Sequence, residues 1–150
     1  MLRGLTTVNY FADDVPAAVG WYTQLLGVEP YFARQSEGTP AYVEFRIGDY
    51  QHELGILDSR FAPHGRSDQA GGAVIYWAVD DVRASFERLV DLGATVHEEP
   101  VERGPGFVTA SVVDPFGNVL GVMYNQHYLE VLGTQGCRHT PGRHFARASR

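Results

Sequence analysis

Asp13-Asp14-Val15 returns as Asp80-Asp81-Val82, 67 positions later. Each copy opens a helical pattern that closes on Leu-Gly, at Leu26-Gly27 and at Leu92-Gly93. Further on, Glu53-Leu54-Gly55-Ile56-Leu57 is echoed by Val119-Leu120-Gly121-Val122-Met123, 66 positions later. Three echoes in the same order at nearly one spacing mark an internal repeat, and a repeat constrains the fold before any local signal does. The chain reads as two copies of one unit, 4–57 and 72–124. They are joined by 58–71, whose Pro63, Gly65 and Ser67 suit a linker.

Within a unit the elements follow from local chemistry. Leu5 to Ala12 is rich in Thr, Val, Tyr and Phe and predicts a strand. Asp13 or Asp14 supplies a helix cap, and Pro16 suits the first turn. Val15, Ala18, Val19, Tyr22, Leu25 and Leu26 fall on one helical face, and Gly27 fits a left-handed C-terminal cap. Strands are predicted at Val28 to Arg34, Ala41 to Ile47 and His52 to Leu57. The second unit repeats the order. It has a strand at Ala73 to Val79, then a helix capped by Asp81 with Val82, Phe86, Leu89 and Val90 buried and Gly93 at its end. Strands follow at Thr95 to Pro100, Phe107 to Val113 and Val119 to Tyr124, with Asp114 to Asn118 as a turn. The prediction is an α+β fold of two tandem βαβββ units, a single domain over 1–125. A short helix and a tail follow over 126–150. One helix covers only one face of each sheet, so the two units are expected to curve around a shared cavity.

Composition narrows the function. The 150 residues carry 12 Arg and no Lys against 18 Asp and Glu, a net charge of −6. This argues against nucleic acid as a partner, since phosphate binding needs a basic face. No apolar run reaches the roughly 20 residues that span a bilayer. The N-terminal residues run into a strand pattern without a secretory apolar stretch, and Cys137 is the single cysteine. A cytoplasmic protein without disulfides is the expectation.

Paired βαβββ units with Phe11-Ala12-Asp13-Asp14-Val15, Trp21-Tyr22-Thr23-Gln24-Leu25-Leu26-Gly27 and Asp114-Pro115-Phe116-Gly117-Asn118 resemble the vicinal oxygen chelate superfamily. That group includes glyoxalase I, extradiol dioxygenases and bleomycin resistance proteins. The resemblance spans about residues 4–124. It implies two metal-ligand points per unit, one early in the first strand and one in the last strand. Here they fall on Thr7, Gly55, Val74 and Gly121, none of which is a good ligand. A one-residue slip in register supplies no His, Glu, Asp or Cys. A two-residue slip reaches Glu53, whose repeat mate is Val119. The resemblance therefore points to the metal-free branch, with no cofactor and a small molecule in the cavity. Its members commonly dimerise, sometimes by exchanging units, so a homodimer is expected. The alternative is a lyase or dioxygenase of the same superfamily with an unorthodox metal site or a metal-independent mechanism.

Strand alternation selects the side chains that face the cavity. They are Asn9 and Phe11 from the first strand, Tyr42, Glu44 and Arg46 from the third, and Glu53 from the fourth. Tyr76, Phe107, Thr109, Ser111 and Met123 are their counterparts in the second unit. Aromatic surface with a few charges suits an aromatic or amphipathic ligand, although Glu44 and Arg46 better suit a solvated cross-strand pattern. Gly55 and Gly121 either let other groups approach closely or leave room for ligand. His97 and Glu99 share a predicted face, which suits a solvated edge better than the alternative of a mononuclear metal site. His127 and Glu130 are helical neighbours at the surface. Cys137, His139 and His144 lack zinc-finger spacing and fall in the predicted tail.

Overall fold

The computed structural model describes residues 5–63 and 69–136, the last two as backbone only. The first unit contains β1 (Thr7–Ala12), α1 (Val15–Leu26), β2 (Phe32–Ser36), β3 (Thr39–Ile47) and β4 (His52–Asp58). The second contains β5 (Ile75–Ala78), α2 (Val82–Asp91), β6 (Thr95–Gly104), β7 (Phe107–Val113) and β8 (Val119–Asn125), followed by α3 (Gln126–Gly136). Each unit forms its own four-stranded sheet, ordered β1-β4-β3-β2 and β5-β8-β7-β6. The first strand pairs in parallel with the last, and the other pairings are antiparallel. This is the expected α+β architecture of two βαβββ units. Among the described residues, no helix is long and apolar enough to cross a membrane. Cys137, His139 and His144 lie outside the described residues.

The helices start and stop where side-chain chemistry satisfies their free ends. Asp14 accepts from the Ala17 amide at 2.9 Å, and Asp81 from the Ala84 amide at 3.0 Å. Gly27 closes α1 at φ +68°, a conformation that costs a side-chain-bearing residue more. Val15, Ala18 and Tyr22 are buried in α1, and Val82, Phe86 and Leu89 in α2, against Phe45, Leu54, Ile56, Ala110, Val112 and Leu120. Val90 is a correction: it was placed on the buried stripe but is exposed, because α2 presents a narrower apolar face. The second strand also moves. Val28 to Tyr31 lie outside it, and β2 is an exposed edge strand held by its ladder to β3. Conversely, β6 continues through Pro100 to Gly104, with register shifts that absorb the missing amide donor.

The units are joined by contacts that reflect the repeat. Trp21 Nε1 donates to the Leu92 carbonyl at the end of α2, at 2.8 Å. Arg88, 67 positions after Trp21, donates to the Gln24 and Leu25 carbonyls at the end of α1, at 3.1 and 3.4 Å. Each helix thus caps the C-terminal end of the other. Tyr10 Oη, in β1, donates to the Val119 carbonyl of β8 at 3.2 Å. Asn118 donates to the Phe11 carbonyl and accepts from the Phe11 amide, both at 3.0 Å, so one side-chain amide stands in for a strand partner at the β1 edge. Trp21→Phe is expected to keep the ring packing, lose the cap on Leu92 and cost about 1 kcal/mol in urea unfolding. No change in midpoint would show that the cap carries no weight.

Candidate functional site

Register places the predicted side chains on the sheet faces turned away from the helices. On the first sheet Thr7 pairs with Glu53, Asn9 with Gly55 and Phe11 with Leu57. Tyr42 pairs with Leu57, Glu44 with Gly55 and Arg46 with Glu53. Residues directly opposite in a ladder share a face, so all six predicted residues of this unit lie together. On the second sheet Tyr76 pairs with Gly121, Thr109 with Met123 and Ser111 with Gly121. Phe107, two residues before Thr109, lies on the same face, and so all five predicted residues of the second unit lie together as well.

Two carboxylates organise the first face. Glu44 accepts from the hydroxyls of both Tyr31 and Tyr42. Glu53 accepts from Thr7 Oγ1 at 2.6 Å and pairs with Arg46 at 2.9 Å. The Arg46 guanidinium stands 4.7 Å from the centre of the Tyr31 ring, and Phe32 packs edge-on to Tyr42 with ring centres 6.3 Å apart. Tyr31 and Phe32 complete an aromatic rim that the sequence reading left unassigned. The signal was available in the pairing of Phe32 with Glu44, but only once the register of β2 was known.

The same bonds set protonation. The hydrogen bond to Glu44 pushes the Tyr31 hydroxyl up to about 12, and burial followed by the Glu44 bond pushes Tyr42 higher. Both are neutral donors at pH 7. The Thr7 hydroxyl, with Arg46 adding to it, holds the Glu53 carboxyl below the usual range. Because that pKa is lowered in the folded protein, its stabilisation is present above the ordinary carboxylate range and is lost as pH falls through the folded value. Thr7→Val is therefore expected to lower Tm at neutral pH, with the difference from the parent shrinking as the pH falls below the ordinary carboxylate range and through the lowered folded value. Thermal melts across that range check it, and a difference that grows in acid would contradict the assignment.

The second face has a different chemistry. Arg103 donates from Nε to Thr109 Oγ1 at 3.0 Å and from Nη2 to Glu98. His97 Nδ1 stands 2.9 Å from Ser111 Oγ. The register shift in β6 breaks the simple alternation and brings His97 to Ser111, while His97 and Glu99 both stay exposed at the expected solvated edge. Thr109 and Ser111 are buried. Asn9 and Phe11 also border a groove of about 360 Å³ between β1, the start of β5 and the Asn118 turn.

The glycines resolve one open alternative. A Cβ on Gly55 would collide with Asn9 Oδ1 and lie 2.6 Å from Cε2 and 2.8 Å from the hydroxyl of Tyr42. A Cβ on Gly121 would lie 2.6 Å from Cδ1 of Tyr76 and 3.0 Å from Val74. In both units a tyrosine ring lies across the glycine of the last strand. The glycines serve close approach of side chains.

A family model, the Glyoxalase/Bleomycin resistance protein/Dioxygenase superfamily, matches residues 4–122. The chain belongs to that superfamily. No curated protein matches it in sequence. Among solved structures, a glyoxalase-related enzyme from Fulvimarina pelagi is 18% identical, with a TM-score of 0.65 over 83% of this chain and 89% of the other. A superfamily member from Sphaerobacter thermophilus is 19% identical, with a TM-score of 0.64 over 81% and 97% of the two chains. A lactoylglutathione lyase from Agrobacterium tumefaciens is 22% identical, with a TM-score of 0.59 over 82% and 94%. At these identities the likeness is one of fold, and this fold hosts many reactions.

The four points that hold an ion in metal-using members do not fit one here. They carry Thr7, Gly55, Val74 and Gly121, and tyrosine rings cover the two glycines. Among the described residues no three His, Cys, Asp or Glu side chains come together as a possible metal site.

Proposed function

We propose that the protein binds a small aromatic or amphipathic molecule against these two faces, without a resident metal ion. The observation that carries the reading is the pair of tyrosine rings, Tyr42 and Tyr76, laid across the glycines at two of the four family metal points. The rings put aromatic surface and phenol hydroxyls where metal-using members place ligand side chains. Phe11, Phe107 and Met123 extend that surface for stacking. Asn9 offers hydrogen bonds, and Glu44, Arg46 and Glu53 fix the orientation of polar groups. The reading includes a cytoplasmic homodimer. In support of the dimer, Tyr31 and Phe32 remain 48% and 45% exposed on the rim of the first face, which suits contact with a second copy or with ligand.

A thermal-shift screen of planar aromatic compounds tests the proposal. A true ligand raises Tm in step with its excess over Kd. The rise is expected to disappear in Tyr42→Ala or Tyr76→Ala, and the compound is expected to be recovered unchanged. Hits that persist in both variants would contradict the assigned faces. Turnover that appears only with added divalent metal would favour the lyase or dioxygenase alternative.

A further inference from the structure

The repeat between the units is broken on the helices, and the break leaves a groove. Trp21 and Tyr22 on α1 correspond to Arg88 and Leu89 on α2, 67 positions later. On the first side the space is filled. Tyr22 is fully buried, and Phe116 packs edge-on to Trp21 with ring centres 6.3 Å apart. On the second side, where Arg88 and Leu89 replace the two aromatics, a groove of about 430 Å³ opens between the end of α1, β5 and α2. Its walls include Leu25, Leu26, Trp77, Val79 and Leu89, with Arg88 at the rim.

Arg88 has no acidic partner among the described residues. Its Nη2 is pinned by the Gln24 and Leu25 carbonyls, which hold the guanidinium in place and leave its other donors available. A volume in the range of small-molecule sites, apolar walls and one anchored, unneutralised cation specify the ligand class. We propose that this groove binds a small anionic amphiphile, with its hydrocarbon body against the leucines and Trp77 and its carboxylate on Arg88. The site is separate from the two sheet faces discussed above.

Titration calorimetry with decanoate tests this on the full chain. Saturable binding at one site per chain is expected. Arg88→Gln is expected to weaken decanoate about tenfold, the weight of one charge-assisted hydrogen bond, while leaving decanol unaffected. Arg88→Trp copies the filled side of the molecule. Its indole N–H takes over the cap on α1 as Trp21 does on α2, so the variant is expected to melt no lower than the parent and to bind no decanoate. Tyr42→Ala is expected to bind decanoate like the parent. Absence of saturable binding, undiminished binding in folded Arg88→Trp, or loss in Tyr42→Ala would each overturn the proposal. So would a change of oligomeric mass in Arg88→Trp without a change in decanoate affinity, which would make a second copy the occupant.

Discussion

Asp114→Ala is expected to lower the free energy of unfolding by about 4 kcal/mol, because several charge-assisted bonds are lost together. Asp114 lies 3% exposed in the turn between β7 and β8. Its carboxylate accepts from the Phe116 amide at 2.9 Å, the Asn118 amide at 2.8 Å and the Asn118 side chain. It also accepts from Tyr22 Oη at 2.6 Å, across 92 positions of chain. Burial, reinforced by Asp114, pushes the Tyr22 hydroxyl well above its ordinary range, so it stays a donor throughout the accessible pH range. Removing the carboxylate leaves a buried phenol and two turn amides without an acceptor, and it unlocks Asn118 from Phe11. Tyr22→Phe removes one donor only and is expected to cost about 2 kcal/mol. Urea unfolding of both variants checks the order. An Asp114→Ala protein as stable as Tyr22→Phe would mean that the turn does not tie the units together.

Gly55→Ala is expected to cost about 2 kcal/mol by overpacking and to weaken ligand binding at the first face. The new methyl group needs the space held by Asn9 Oδ1 and Tyr42, so the ring must swing out and leave Glu44. Tyr42→Ala vacates part of that space. The double variant is therefore expected to be more stable than the two single losses predict, by at least about 1 kcal/mol. Strict additivity would show that Tyr42 does not rest on Gly55. The same cycle applies to Gly121 and Tyr76.

Much of this architecture was legible because the relevant signals are local. Aspartate caps, Gly27 and period-two alternation in β3, β4, β7 and β8 depend on neighbours in sequence, and they placed Asn9, Tyr42, Glu44, Arg46 and Glu53 on one face. What escaped depends on partners far along the chain. Asp114 read as a turn residue, and nothing near it announces Tyr22. Trp21 fell outside the apolar face read for α1, and its acceptor lies at Leu92. The edge strand β2 has little apolar pattern because water covers most of it, so Val28 to Tyr31 drew the strand too early. Pro100 read as a stop, although a bulged edge strand tolerates it. The role of Gly55 stayed open in the sequence because a missing side chain has the same signature whether ligand or a neighbouring ring uses the space.

Metal content tests the central claim most directly. Tag-free protein, purified without chelator and then incubated with Fe, Mn, Ni, Co and Zn ions and desalted, is to be measured by plasma mass spectrometry. The account predicts metal far below one ion per chain in every case. Near-stoichiometric retention of any of these ions would contradict it and would require ligands other than Thr7, Gly55, Val74 and Gly121.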